Sequence, residues 1–113
     1  MAKFLKKEDI TFEDHPKFEG VKIAKLVSSQ DTDTVSVSML EISPDTEIPI
    51  HTHDPNIDSV YVLEGQGEVF TAGKWQKLSA GDYIFIPAQE EHGVKNTGKD
   101  ILKLFVVHSP PFF

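Results

Sequence analysis

The sequence predicts an all-β fold, and three observations lead there. Runs of four to nine residues with strand character follow one another along the chain. Turn signals separate them, among them Ser43-Pro44-Asp45, Ala72-Gly73-Lys74 and Thr97-Gly98-Lys99-Asp100. No segment of ten or more residues carries a convincing apolar period of 3.6. Short strands recurring between such turns mean a β-sandwich or a β-barrel. No internal repeat or low-complexity segment interrupts the pattern.

The first 20 residues are charged, with Phe4, Leu5, Ile10, Phe12 and Phe18 scattered among them; Ile10–Phe12 reads as a short strand. His15, which precedes Pro16, reads as an exposed turn histidine outside any site. Val21–Val27 alternates and carries lysines, as an edge strand does. Thr34–Ile42 is a strand with Ser36, Ser38, Leu40 and Ile42 on one face and Val35, Val37, Met39 and Glu41 on the other. Glu47–Ile50 leads into a histidine pair, and Val60–Leu63 is an apolar strand. Glu64-Gly65-Gln66-Gly67 forms a tight turn with two glycines available for positive φ. Glu68–Thr71 and Trp75–Leu78 make a hairpin around Gly73, and Tyr83–Ile86 reads as a short buried strand stopped by Pro87. Strands at His92–Asn96 and Ile101–Val107 follow, and the tail from Ser109 to Phe113 is apolar enough to dock.

A chain of 113 residues makes one domain and can bury a core without staples. The expected division is an N-terminal extension with edge strands over residues 1–33, a barrel core over 34–108, and a tail over 109–113. There are no cysteines, which excludes disulfides, thiolate metal sites, a cysteine nucleophile and iron–sulfur clusters. Eleven basic and eighteen acidic residues give a net charge of −7, which argues against a nucleic-acid partner. No apolar run approaches the roughly 20 residues of a membrane span. The N-terminus lacks the apolar stretch of a secretion signal, so a cytoplasmic location is expected.

The chemistry concentrates in two stretches. His51 and His53 sit one residue apart, so on a strand they share a face, with Cβ atoms roughly 6–7 Å apart. A turn through Asp54-Pro55-Asn56 folds Asp58 back beside them. The second stretch, residues 81–96, brings a third histidine, His92. Three histidines and one carboxylate form a nitrogen and oxygen site suited to a divalent first-row metal.

Both stretches resemble the two motifs of the cupins, small β-barrels of jelly-roll type. The first motif is matched by His51-Thr52-His53, Asp58 and Gly65, without its leading glycine. The second is matched by Gly81, Pro87, His92 and Asn96, with Gln89 in place of a glycine. The resemblance covers about residues 34–108. It implies an all-β jelly-roll barrel whose interior holds one metal on His51, His53, His92 and one acid. Asp58 stands where the family usually has glutamate, one methylene longer. It either ligates from a closer strand, contacts the metal through water, or leaves a three-histidine site. The resemblance also implies a homodimer, with the tail and the N-terminal strand as contact surfaces.

Facing follows from the polar markers. With Lys103 turned to solvent, Leu102, Leu104, Val106 and His108 point inward. His108 is thus either a proton-moving pocket histidine or a strand-end residue at the rim. Glu41 is either a rim residue or a buried acid near the metal. With Asp58 inward, Val60 and Val62 follow it and Tyr61 faces out. The expected function is a metal-dependent enzyme of dioxygenase, isomerase, lyase or decarboxylase type. It would hold Mn²⁺, Fe²⁺, Ni²⁺ or Zn²⁺ and act on a small oxygen-rich substrate. The alternative is a module that binds a small ligand or metal without turnover.

Overall fold

Side-chain alternation decides which face of each strand is covered, and the computed structural model, which describes residues 1–113, places ten strands in chain order. They are β1 (Glu13–Asp14), β2 (Val21–Val27), β3 (Ser36–Ile42), β4 (Glu47–His51) and β5 (Ile57–Glu64). After Gly65 come β6 (Gln66–Thr71), β7 (Lys74–Ser79), β8 (Tyr83–Ile86), β9 (His92–Lys95) and β10 (Leu102–Ser109). The strands form two antiparallel sheets, a six-stranded one in the order β1-β2-β3-β10-β5-β8 and a four-stranded one in the order β4-β9-β6-β7. The ladders of the two sheets do not join, so the jelly roll is a pair of facing sheets and not a continuously bonded barrel.

The core lies between the sheets and is built from alternate residues. Leu102, Leu104 and Val106 of β10 are buried, as are Val60 and Val62 of β5, Ile42 of β3, and Ile48, Val69 and Leu78 from the smaller sheet. Tyr61 turns outward and is 45% exposed. Ser36 and Ser38 share the inner face of β3 with Leu40 and Ile42.

Three local expectations change. The first strand falls at Glu13–Asp14, because pairing with β2 starts only where Glu13 stands opposite Ile23; residues 7–9 form a 3-10 turn instead. β8 is not buried on both faces: the second sheet covers one side of its sheet only, and Tyr83 and Phe85 alternate onto the other side, 59% and 57% exposed. Of the two glycines in the Glu64–Gly67 turn only Gly65 uses positive φ, at +88°. Gly67 lies within β6, where a Cβ would overlap the Lys95 carbonyl oxygen, so its small size serves close packing against β9.

Asn96 explains a motif residue that carries no chemistry. It is 2% exposed, donates from Nδ2 to the carbonyls of Ile42 and Asp100 at 2.8 and 2.9 Å, and accepts from Gly98 N–H at 2.9 Å. It ties the end of β9 to β3 and to the turn before β10.

Candidate metal centre

His51 ends β4 and stands directly across from His92, the first residue of β9. This pairing brings the second histidine stretch to the first, and the two rings lie 4.3 Å apart between centroids. His53 reaches the same place by a different route from the expected strand alternation. It lies beyond the end of β4, in the loop before β5, and its ring is 5.8 Å from His51 and 4.8 Å from His92. The loop is held from residue 89, whose backbone N–H donates to the His53 carbonyl at 2.9 Å and whose side-chain amide donates to Asp54 at 2.9 Å. Gln89 has φ +71°, a left-handed backbone that glycine adopts without strain.

Asp58 points inward from β5, level with His108 of β10. Its Oδ1 lies 3.0 Å from His53 Nε2 and 3.2 Å from His108 Nε2, and its Oδ2 lies 3.4 Å from His92 Nε2. These separations are short, yet the groups are not aligned as hydrogen bonds. His53 Nε2, His92 Nε2, Asp58 Oδ1 and His108 Nδ1 are buried without a hydrogen-bond partner. Buried polar atoms are nearly always paired, so four orphans in one place ask for a missing partner.

The other ring nitrogens say what kind of partner. His51 Nδ1 lies 2.7 Å from the Pro49 carbonyl, His53 Nδ1 3.0 Å from the Asn56 carbonyl, and His92 Nδ1 2.8 Å from the Glu90 carbonyl. A carbonyl only accepts, so each Nδ1 carries the proton and each neutral ring keeps its Nε2 lone pair. That is how ligating histidines are usually oriented. The ligand atoms of His51, His53 and His92 lie within 4.8 Å of one another, and so do those of His53, Asp58 and His108. The donor set fits a metal ion.

The electrostatics agree with that role. Burial holds His51 and His53 below the ordinary imidazole pKa, which favours neutral rings. For His92 burial acts in the same direction but is outweighed by Asp58 and the Glu90 carbonyl, and the net direction is upward. For Asp58 burial favours the neutral acid. The close approach of the surrounding imidazoles, His108 and then His92, overcomes it and keeps the carboxyl well below its usual range. Asp58 is therefore ionised at neutral pH.

These groups line a cavity of about 180 Å³ whose walls are mainly apolar, Ile48, Val60, Ile84 and Leu104 among them. His108 is brought to the cluster. Glu41 is not: it alternates onto the opposite face of β3 from Ser38 and Leu40, where its carboxylate lies 3.7 Å from Lys103 Nζ.

Two contributors escaped the sequence reading. His15 is half-buried and lines the cavity instead of standing in solvent. The tail docks on its own subunit, with Phe112 lining the cavity and its ring 5.1 Å from His53 and 4.7 Å from His108. The tail's apolar composition signalled docking but not its place; nothing local marked His15.

Comparison with known proteins supports the same architecture. Residues 38–108 match the family described as Cupin domain. A protein of Aquifex aeolicus without an assigned function is 30% identical over 105 residues, covering 93% of this chain and 82% of that one. An oxalate-binding protein of Thermotoga maritima is 29% identical over 68 residues, 60% of this chain; the match spans 56% of that protein's length. Among solved structures, the polyketide cyclase RemF from Streptomyces resistomycificus is 26% identical with a TM-score of 0.84, covering 100% of this chain and 87% of that one. No helix here is long and apolar enough to cross a membrane.

Proposed function

As this chain belongs to the cupin family, we propose that it is a metal-dependent enzyme that binds a small oxygen-rich organic substrate in the cavity between its sheets. His51, His53, His92 and Asp58 would hold the ion, Mn²⁺, Fe²⁺, Ni²⁺ or Zn²⁺. The observation that carries this reading is the set of three Nδ1–H groups fixed on backbone carbonyls, which leaves the buried Nε2 atoms of His53 and His92 beside an ionised carboxylate. A divalent ion supplies Lewis acidity toward a substrate carbonyl or carboxylate there.

The chain's own residues do the rest. The apolar walls exclude water and hold the carbon skeleton. His108 is the group placed to move a proton. Its Nε2 is near Asp58 Oδ1, and its Nδ1 is buried, unpartnered and not tied to a carbonyl as the three ligands are. Phe112 packs on His108 and His53 and limits how far either ring can swing. Metal polarisation beside a proton carrier favours isomerase, lyase or decarboxylase chemistry over a reaction with dioxygen. The likeness to an oxalate-binding protein supports a second reading, a module that holds a small carboxylate without converting it.

Elemental analysis of the purified chain tests the site. Near-stoichiometric metal in the wild type, lost in the H51A/H92A variant, is the expected result. No metal after reconstitution with all four ions refutes it. His108→Asn is expected to keep the metal and abolish turnover on whichever substrate a carboxylate and hydroxy-keto panel identifies. Binding without turnover across that panel selects the second reading.

A further inference from the structure

His15 differs from the three ligand histidines in the way its ring is held. The backbone N–H groups of Lys17 and Phe18 donate to its Nδ1 at 3.1 and 3.2 Å. A nitrogen that accepts cannot carry the ring proton, so that proton sits on Nε2. His51, His53 and His92 offer lone pairs to the cavity; His15 offers an N–H. Its backbone is fixed as well, since His15 N–H donates to the Val21 carbonyl at 2.9 Å.

The position is also defined. Phe18 separates His15 from the cluster, its ring 4.8 Å from His15 on one side and 6.1 Å from His51 on the other. Lys17, exposed, lines the same cavity, with its ammonium 5.7 Å from the centre of the Phe18 ring that packs on His15. Phe18 and aliphatic side chains such as Ile23, Leu40 and Ile48 line the same cavity. Burial, with the charges of Lys17 and Lys25, lowers the pKa of His15, in keeping with a neutral ring that donates.

We propose that His15 Nε2–H and the Lys17 ammonium form an anion-accepting mouth. The mouth selects molecules with an oxygen-rich end for the cluster, a short apolar middle, and a carboxylate at the far end. The inference rests on the functional reading above for the first end only. His15 and Lys17 are specificity residues here and take no part in bond making.

Adipate, a dicarboxylate with four methylenes, and hexanoate, which lacks the second carboxylate, are the probes. Both are titrated into the metal-loaded full chain by calorimetry. His15→Asn is the informative variant, because an asparagine oxygen can still accept the N–H two residues on while lacking the reach of Nε2. Adipate affinity is expected to fall about tenfold in His15→Asn, the scale of one hydrogen bond to a charged group. It is expected to fall severalfold in Lys17→Gln. Hexanoate affinity and metal content stay unchanged in both. In the wild type, the ¹⁵N resonances of His15 should report the Nε2–H tautomer and shift on adding adipate, a readout that needs no variant to fold. Equal adipate affinity in wild type and His15→Asn, or a His15 signal unmoved at saturating adipate, overturns the proposal. A chain that fails to take up metal but still shows the adipate shift at His15 refutes the metal reading and keeps the mouth.

Discussion

Removing residues 110–113 should destabilise the isolated subunit by about 2 kcal/mol, and the figure follows from what the tail touches. Ser29 N–H donates to the Phe113 carbonyl, and Phe112 N–H to Ser36 Oγ, each at 2.8 Å. Asn56 Nδ2 donates to the carbonyls of Pro110 and Pro111 at 2.6 and 3.3 Å. Four such bonds contribute about 4 kcal/mol at a net value of about 1 kcal/mol each. Phe112 is 51% exposed and Phe113 half-buried, so each adds about 1 kcal/mol of apolar burial. Ordering four residues, two of them prolines with φ already fixed, costs about 4 kcal/mol. Urea unfolding of wild type and the 1–109 truncation, each at two protein concentrations tenfold apart, measures the difference. An intramolecular tail gives the same loss at both concentrations. A loss under about 0.5 kcal/mol, or one that shrinks on dilution, would mean that the tail acts between copies, and the reasoning here would be refuted. Light scattering on the same samples reports whether the full chain is the homodimer that the family resemblance implies.

Asn96→Ala should cost about 2–3 kcal/mol in the same unfolding experiment, because it leaves the buried carbonyl of Ile42 without its side-chain donor and frees the turn before β10. Metal content at temperatures where the variant is folded should be unchanged. Gly67→Ala should cost at least about 2 kcal/mol, since a methyl there overlaps a backbone oxygen that cannot move without breaking the β6–β9 ladder; a melting temperature within 2 °C of wild type would contradict this, as about 1 kcal/mol shifts such a domain by several degrees. His15, whose folded pKa lies below 6.5, contributes stability that is complete above that value and is lost as pH falls through the folded pKa. Its NMR titration should have a midpoint below 6.5, and the acid limb of the stability profile should flatten in His15→Asn.

Strand facing was legible in the sequence because single polar residues set the phase of whole strands. Lys103 turned outward fixes Leu102, Leu104, Val106 and His108 inward, and Asp58 inward carries Val60 and Val62 with it; the register of β10 against β5 has that arrangement. Where no polar residue breaks the tie, sequence could not choose. β3 carries apolar side chains on both faces, which left Glu41 open between rim and interior until its pairing with Lys103 decided it. β8 reads as buried because all four of its residues are apolar or aromatic, yet a strand in one of two facing sheets has one covered face. His53 was assigned to the cluster by strand alternation, and the loop that delivers it instead depends on bonds to Asn56 and Gln89, three and thirty-six residues away. His15 and Phe112 reach the cavity only through the fold, from the two ends of the chain.

The backbone, and not the side chains alone, sorts the histidines into acceptors and donors. Imidazole offers the same two nitrogens at every position, and what separates the roles is the local backbone group facing Nδ1. Carbonyls of residues 49, 56 and 90 lock three rings as lone-pair donors toward one point. Amides of residues 17 and 18 lock His15 the other way. His108 alone has no backbone partner at Nδ1, so no backbone group fixes its tautomer. A ring without a fixed tautomer, 3.2 Å from Asp58, suits proton transfer, whereas rings with fixed tautomers suit binding. The division predicts that each group responds to a different change. Shifting the carbonyl of residue 49, 56 or 90 should weaken the metal, opening the turn at Lys17–Phe18 should weaken anion selection, and replacing His108 should touch neither.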